Sequence, residues 1–159
     1  MIITMSKMPK LLIIEDDESI RLLMSHVFRS EYDVIEAVDH AGAVKLVKGK
    51  APEVVILDLG LPPHPADVTV GIKVLKDILV IDPSIKVLVV TGNAEKENAL
   101  KCIEIGAFDF FTKPVSHEEM KITVKRAFHV ARLEKENTKL KSYSEIDGLK
   151  GMLGNSATM

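Results

Sequence analysis

Short runs rich in valine, isoleucine and leucine alternate with amphipathic stretches along this chain, and three of the runs end directly in charged residues. Leu11-Leu12-Ile13-Ile14 leads into Glu15-Asp16-Asp17, Val54-Val55-Ile56-Leu57 into Asp58, and Phe108-Asp109-Phe110-Phe111 into Thr112-Lys113-Pro114. Short apolar runs of this kind predict strands covered on both faces, the habit of parallel sheets. The acids and the lysine then fall just past the carboxyl ends of strands. In an open parallel sheet those ends share one edge, where ligands bind. Carboxylates gathered there repel one another unless a cation is shared, because like charges a few ångströms apart raise pKa values and cost folding energy. The pattern predicts a hard divalent metal ion among the acids and a lysine placed to meet an anion.

Strand and helix signals alternate with little interruption. Lys10 to Glu15 precedes a helical stretch from Glu18 to Arg29, in which Ile20, Leu23, Met24, Val27 and Phe28 recur at helical spacing. Tyr32 to Ala37 is β-rich, and Asp39 is a plausible N-cap for a helix carrying Ala43, Val44 and Val47 and stopped by Gly49. Glu53 to Asp58 is the next strand, after Pro52. Gly71 to Val80 is helical and ends before Asp82-Pro83, since a residue before proline is pushed out of the α region. Ile85 to Val90 is a strand, Glu95 to Ile105 a helix closed by Gly106, and Phe108 to Phe111 the last strand. Ser116 caps a final helix with no obvious stop before Ser142. Five strands, each followed by a helix, predict a doubly wound parallel sheet.

The 159 residues suit one α/β domain of ordinary size plus an extension. A net charge of -2 leaves no electrostatic footprint for nucleic acid, so direct DNA contact is not expected from this part of the chain. Cys102, the single cysteine, cannot form an internal disulfide, and its helical context predicts a buried thiol compatible with a reducing compartment. The first residues lack an apolar signal region and no stretch approaches a membrane span, which predicts a cytoplasmic location. The histidines (His26, His40, His64, His117 and His129) show no HxxxH or HExxH spacing, which argues against a histidine metal site.

From about Pro9 to Ala131 the chain resembles the receiver domain of two-component response regulators. The likeness rests on Ile14-Glu15-Asp16-Asp17-Glu18-Ser19-Ile20-Arg21, Leu57-Asp58-Leu59-Gly60-Leu61-Pro62, Val89-Val90-Thr91-Gly92 and Gly106-Ala107-Phe108-Asp109-Phe110-Phe111-Thr112-Lys113-Pro114, in this order and spacing. It implies a flavodoxin-like five-stranded sheet of order 2-1-3-4-5 with an extended C-terminal helix. It also implies that Asp58 is the phosphoacceptor, taking a phosphoryl group from the phosphohistidine of a sensor histidine kinase. Mg2+ would be ligated directly by Asp16 and shared with Asp58, with Glu15 beside it through water and the backbone carbonyl of Gly60 completing the protein's share. Lys113 and the Thr91 hydroxyl would hold phosphoryl oxygens, Phe110 would report phosphorylation through packing, and Pro114 is a candidate for a cis peptide. The resemblance thus implies a switch rather than an enzyme.

Other readings attach to the same residues. Asp17 is either part of the metal site or the N-cap of the first helix. A phosphotransferase or phosphatase with an aspartyl-phosphate intermediate is disfavoured, because Asp58-Leu59-Gly60 lacks the second acid of a DxD pair. A flavin or nucleotide binder on a similar fold is disfavoured by the absence of a glycine-rich loop after the first strand. The chain also departs from the family pattern. The segment from Leu61 to Gly71 is long and proline-rich, consistent with a semi-rigid flap, and Phe110 stands where many receivers carry tyrosine, so no hydroxyl tethers that ring.

Beyond the receiver, Val130, Leu133, Asn137 and Leu140 follow an a-d-a-d spacing, with Glu136 at g and Lys141 at the next e. Asparagine at an a position fixes register and favours two parallel strands, so residues 132–147 are read as a helical linker and possible coiled coil that makes a homodimer. The glycine-rich stretch 148–159 resembles the opening of the ATPase domain of sigma-54-dependent activators. No GxxxxGK[ST] phosphate loop is present. The expectation is a receiver and linker belonging to a transcriptional activator.

Overall fold

The computed structural model describes residues 8–61, 68–92 and 96–155. In chain order the elements are β1 (Lys10–Ile14), α1 (Glu18–Phe28), β2 (Asp33–Ala37), α2 (His40–Lys50), β3 (Val54–Asp58), α3 (Thr69–Ile81), β4 (Lys86–Thr91), α4 (Lys96–Ile105), β5 (Asp109–Thr112) and α5 (His117–Asn155). All strand pairs are parallel and the sheet order is β2-β1-β3-β4-β5, the flavodoxin-like arrangement that the resemblance implies.

The strands alternate between two cores, which is why they read as continuous apolar runs. Leu12, Ile14, Val55, Leu57, Val87 and Val89 face α2, α3 and α4, where Val47, Leu75, Ile78 and Cys102 are buried. Leu11, Ile13, Val54, Ile56, Leu88 and Val90 face α1 and α5, meeting Met24, Phe28, Val124 and Phe128. Tyr32 stacks on Phe128 at 4.6 Å between ring centroids, fixing the end of α1 against α5. The Cys102 thiol is fully buried and burial pushes its pKa up, so it is the inert thiol expected from its helix.

Several boundaries move for local reasons. Gly49 does not stop α2; the helix runs to Lys50, and Ala51 takes a left-handed φ of 49° before Pro52, whose ring disfavours a right-handed residue ahead of it. Gly71 lies inside α3 rather than at its start. A methyl group there would overlap the Leu59 carbonyl oxygen and come within 2.5 Å of the Leu59 Cα, so glycine lets α3 lie directly on the chain that follows β3. Gly106 closes α4 with φ +130°, as expected. Most of the proline-rich stretch, at 62–67, and the last residues, 156–159, lie outside the described residues.

α5 crosses the whole domain and continues past it. Ala131 is buried, and residues 132–140 beyond it are exposed. Just beyond, Lys86 Nζ meets Glu134 Oε1 at 2.7 Å, and Lys135 Nζ lies 4.0 Å from Glu53 Oε2, so the helix is pinned where it passes the amino ends of β4 and β3. It then runs unbroken through position 148. Among the described residues no helix is long and apolar enough to cross a membrane.

Candidate functional site

The carboxyl edge of the sheet brings the predicted residues together. At β3, pairing with β4 continues one residue beyond Asp58, through Leu59 N–H to the Val90 carbonyl at 3.0 Å, and the chain turns only at Gly60. The Gly60 N–H donates to Asp58 Oδ1 at 3.0 Å, an Asx-type bond that aims the carboxylate along the turn. Leu59 and Leu61 are fully buried, so both sides of that turn are anchored in the core.

β1 delivers the other acids. Glu15 N–H donates to the Ala37 carbonyl at 3.0 Å, and the chain then turns into α1. Asp17 resolves its two readings at this turn: its Oδ1 accepts from Ile20 N–H at 3.1 Å, so it is the N-cap. Glu15 and Asp58 are buried, Asp16 is partly exposed, and one carboxylate oxygen from each lies within 4.8 Å of the others. Burial first, then the neighbouring Asp58 charge, push the Glu15 pKa up to about 8, against a lowering pull from the Asp17 N–H.

β5 supplies the cation. Lys113 N–H donates to the Thr91 carbonyl at 2.9 Å, extending the β4–β5 pairing, and its Nζ reaches Asp58 Oδ2 at 3.2 Å. The Lys113–Pro114 peptide is cis, as anticipated. Thr91 is buried at the end of β4, opposite Thr112. Phe110 is half-buried against the core on the α3 and α4 side, whereas Phe111 packs on the other face.

The donor set suits a hard divalent cation. Carboxylate oxygens converge in one pit, with no histidine or thiol among them, and burial together with the Asp58 charge raises the Glu15 pKa there. A mostly apolar cavity of about 250 Å³ adjoins the pit, bounded by Ile20, Leu23 and Met24 of α1 and by Lys113, Val115 and His117.

The linker residues lie far along α5 from this edge. Val130 is half-buried, while Leu133, Asn137 and Leu140 are exposed along one stripe. Two residues of the site went unread as such in the sequence. Gly71 carries the usual signal of a glycine inside a helical pattern, a close backbone approach. Arg21 sits within a recognised motif but its contacts depend on β2, which no local spacing reveals.

The profile of the response regulator receiver domain matches residues 11–125. The chain belongs to this family. Among relatives of this receiver domain, a putative response regulator NtrX-like protein of Rickettsia typhi is 35% identical over 132 residues, covering 82% of this chain and 27% of that protein. Sporulation initiation phosphotransferase F of Bacillus subtilis is 33% identical over 118 residues, covering 74% of this chain and 91% of that protein. The crystal structure of the signal receiver domain of a putative LuxO repressor protein from Vibrio parahaemolyticus superposes with a TM-score of 0.72 at 28% identity, covering 80% of this chain and 95% of that one. The receiver thus spans about a quarter of the NtrX-like relative.

Proposed function

We propose that this receiver accepts a phosphoryl group on Asp58 from the phosphohistidine of a sensor histidine kinase and so switches the behaviour of α5 and whatever it carries. The observation that supports this most is the division of labour at Asp58, with Oδ1 tied to the Gly60 N–H and Oδ2 to Lys113 beside two further carboxylates. An Asp58 oxygen attacks phosphorus, an O–P bond forms, and the N–P bond breaks with its electron pair passing to the imidazole nitrogen, which takes a proton from solvent. Mg2+, held by Asp16 and Asp58 with Glu15 beside it through water and the Gly60 carbonyl, would offset the repulsion between phosphoryl oxygens and acids. Lys113 exchanges its bond to Asp58 for one to a phosphoryl oxygen, and the Thr91 hydroxyl donates to another. The exposed Ile20 and Leu23 of α1, which line the apolar cavity, give a phosphodonor a surface to lie on while its imidazole reaches the pit.

In this reading Phe110 repacks on phosphorylation, and Val130, Leu133, Asn137 and Leu140 form the seam of a parallel homodimer. Residues 9–131 are the receiver, 132–147 the linker and 148–159 the opening of an ATPase domain in a cytoplasmic transcriptional activator. The length of α5 beyond Ala131 gives such an output a connection.

Incubation with a small phosphodonor and Mg2+, followed by intact mass, tests the assignment. One phosphoryl adduct is expected in the parent chain and none in Asp58→Asn; an undiminished adduct in the variant would overturn it.

A further inference from the structure

The cation pit has a support that none of its expected ligands provides. Arg21 projects from α1 with its side chain only 14% exposed, and its two arms go to different places. Nε donates to Glu36 Oε1 of β2 at 2.9 Å, and an Nη donates to the Glu15 carbonyl oxygen at 3.0 Å. That carbonyl belongs to the peptide joining Glu15 to Asp16. The Glu15 N–H is already held by the Ala37 carbonyl, and the Arg21 N–H bonds the Asp17 carbonyl at 2.9 Å. The segment that presents two carboxylates is therefore fastened on both sides of Glu15, once by the sheet and once by a guanidinium.

Arginine suits this task and lysine does not, because the planar fork serves a side-chain carboxylate and a backbone carbonyl at fixed divergence. A lone positive charge so close to the pit would oppose a bound cation; Glu36 neutralises it and orients it at once. From this geometry we propose that Arg21, anchored by Glu36, is a positioning residue for the divalent cation: it never touches the ion but fixes the Glu15–Asp16 peptide in the orientation that lets the acids converge with Asp58. The proposal rests on the reading of the pit as the Mg2+ site.

Two explanations give opposite signs. If Arg21 acted on the pit only through its charge, Arg21→Gln would tighten Mg2+ binding. If it positions the peptide, the same change loosens binding, on the order of 10- to 100-fold by analogy with other outer partners of metal ligands. Mg2+ titration followed by amide NMR shifts on the parent chain, Arg21→Gln, Arg21→Lys, Glu36→Gln and the double variant Arg21→Gln/Glu36→Gln decides between them. The expected outcome is a large loss of affinity in Arg21→Gln, an intermediate loss in Arg21→Lys, a smaller loss in Glu36→Gln, and a double variant no worse than Arg21→Gln alone, since Glu36 acts through Arg21. Urea unfolding of the metal-free proteins should show Glu36→Gln folded at the midpoint of the parent within experimental scatter, which keeps the affinity readout independent of stability even if Arg21→Gln weakens the fold. Affinity in Arg21→Gln equal to or tighter than the parent's overturns the positioning role. Asp16→Ala in the same series separates the two readings: if it binds Mg2+ as the parent does, the pit is not the cation site and both readings fall, whereas its loss of binding beside an unaffected Arg21→Gln overturns the brace alone.

Discussion

Glu15 sits where burial and the Asp58 charge both disfavour its ionised form, and the consequence is a pH dependence that runs against the usual carboxylate pattern. Its pKa rises from the ordinary 4.5 to about 8 on folding, so between those values the folded chain binds more protons than the unfolded one. The stability of metal-free protein is therefore expected to fall as pH climbs through that window, and Glu15→Gln to flatten the fall; urea midpoints across the range check both. Mg2+ affinity should rise over the same interval, because the cation competes with a proton. Lys113 poses a different question at the same scale. Its ion pair with Asp58 joins a buried carboxylate to a side chain that is 44% exposed, so solvent screening holds its worth to about 1 kcal/mol or less. Lys113→Ala is then expected to stay folded and to accept the phosphoryl adduct, while the amide shifts that phosphorylation causes near Phe110 disappear. Unfolding of the variant, or unchanged Phe110 shifts, would reject that role.

Among the elements, α3 depends most on a single position. Gly71→Ala gains about 1 kcal/mol of helix propensity, yet the added methyl meets backbone atoms of Leu59, which cannot swing aside as a flexible side chain would. The overlap should win, for a net loss of about 1–3 kcal/mol in urea unfolding together with shifted amides at Asp58 and Gly60. A neutral or stabilised variant would show that α3 can retreat. The same position shows what could be read without coordinates. Strands buried on both faces announce themselves as runs, so β1, β3 and β4 were legible within a residue or two, as was the half-buried edge strand β5, and with them the shared edge carrying Asp58 and Lys113. β2, an edge strand with Glu36 one residue before its end, was legible as a strand but not as the anchor of Arg21. Ala51 was missed as the end of α2 because Gly49 is the better terminator by type, although Pro52 settles the matter sterically. What periodicity reports is which face an element buries; which atoms of two elements meet is decided by packing across the sheet.

For the molecule as a whole, the exposed Leu133 and Leu140 ask for a partner that the receiver does not supply. A parallel homodimer is expected in sedimentation at rising concentration, lost in Leu133→Asp and strengthened or shifted in stoichiometry by Asn137→Ile. A monomer at every concentration, with and without phosphorylation, would sink the seam. The Lys86–Glu134 pair bears on the direction in which the seam points. Spin labels on cysteines replacing the exposed Lys76 and Lys139, diluted into excess unlabelled protein so that only distances within one protomer are read, should give one narrow distance distribution, broadened by Lys86→Ala; Cys102 is too buried to compete for the label. From Ala131 to Asn155 the helix reaches about 36 Å, at about 1.5 Å per residue, so a tilt of about 5° at its root carries the far end roughly 3 Å. The last stretch of α5 is thus a lever arm whose fulcrum is the amino edge of the sheet, on the opposite side of the domain from Asp58. Coupling between two sites is reciprocal, so under the proposed switch a load that holds the far end of that arm in one place would bias how readily the pit at the other edge accepts its ligand.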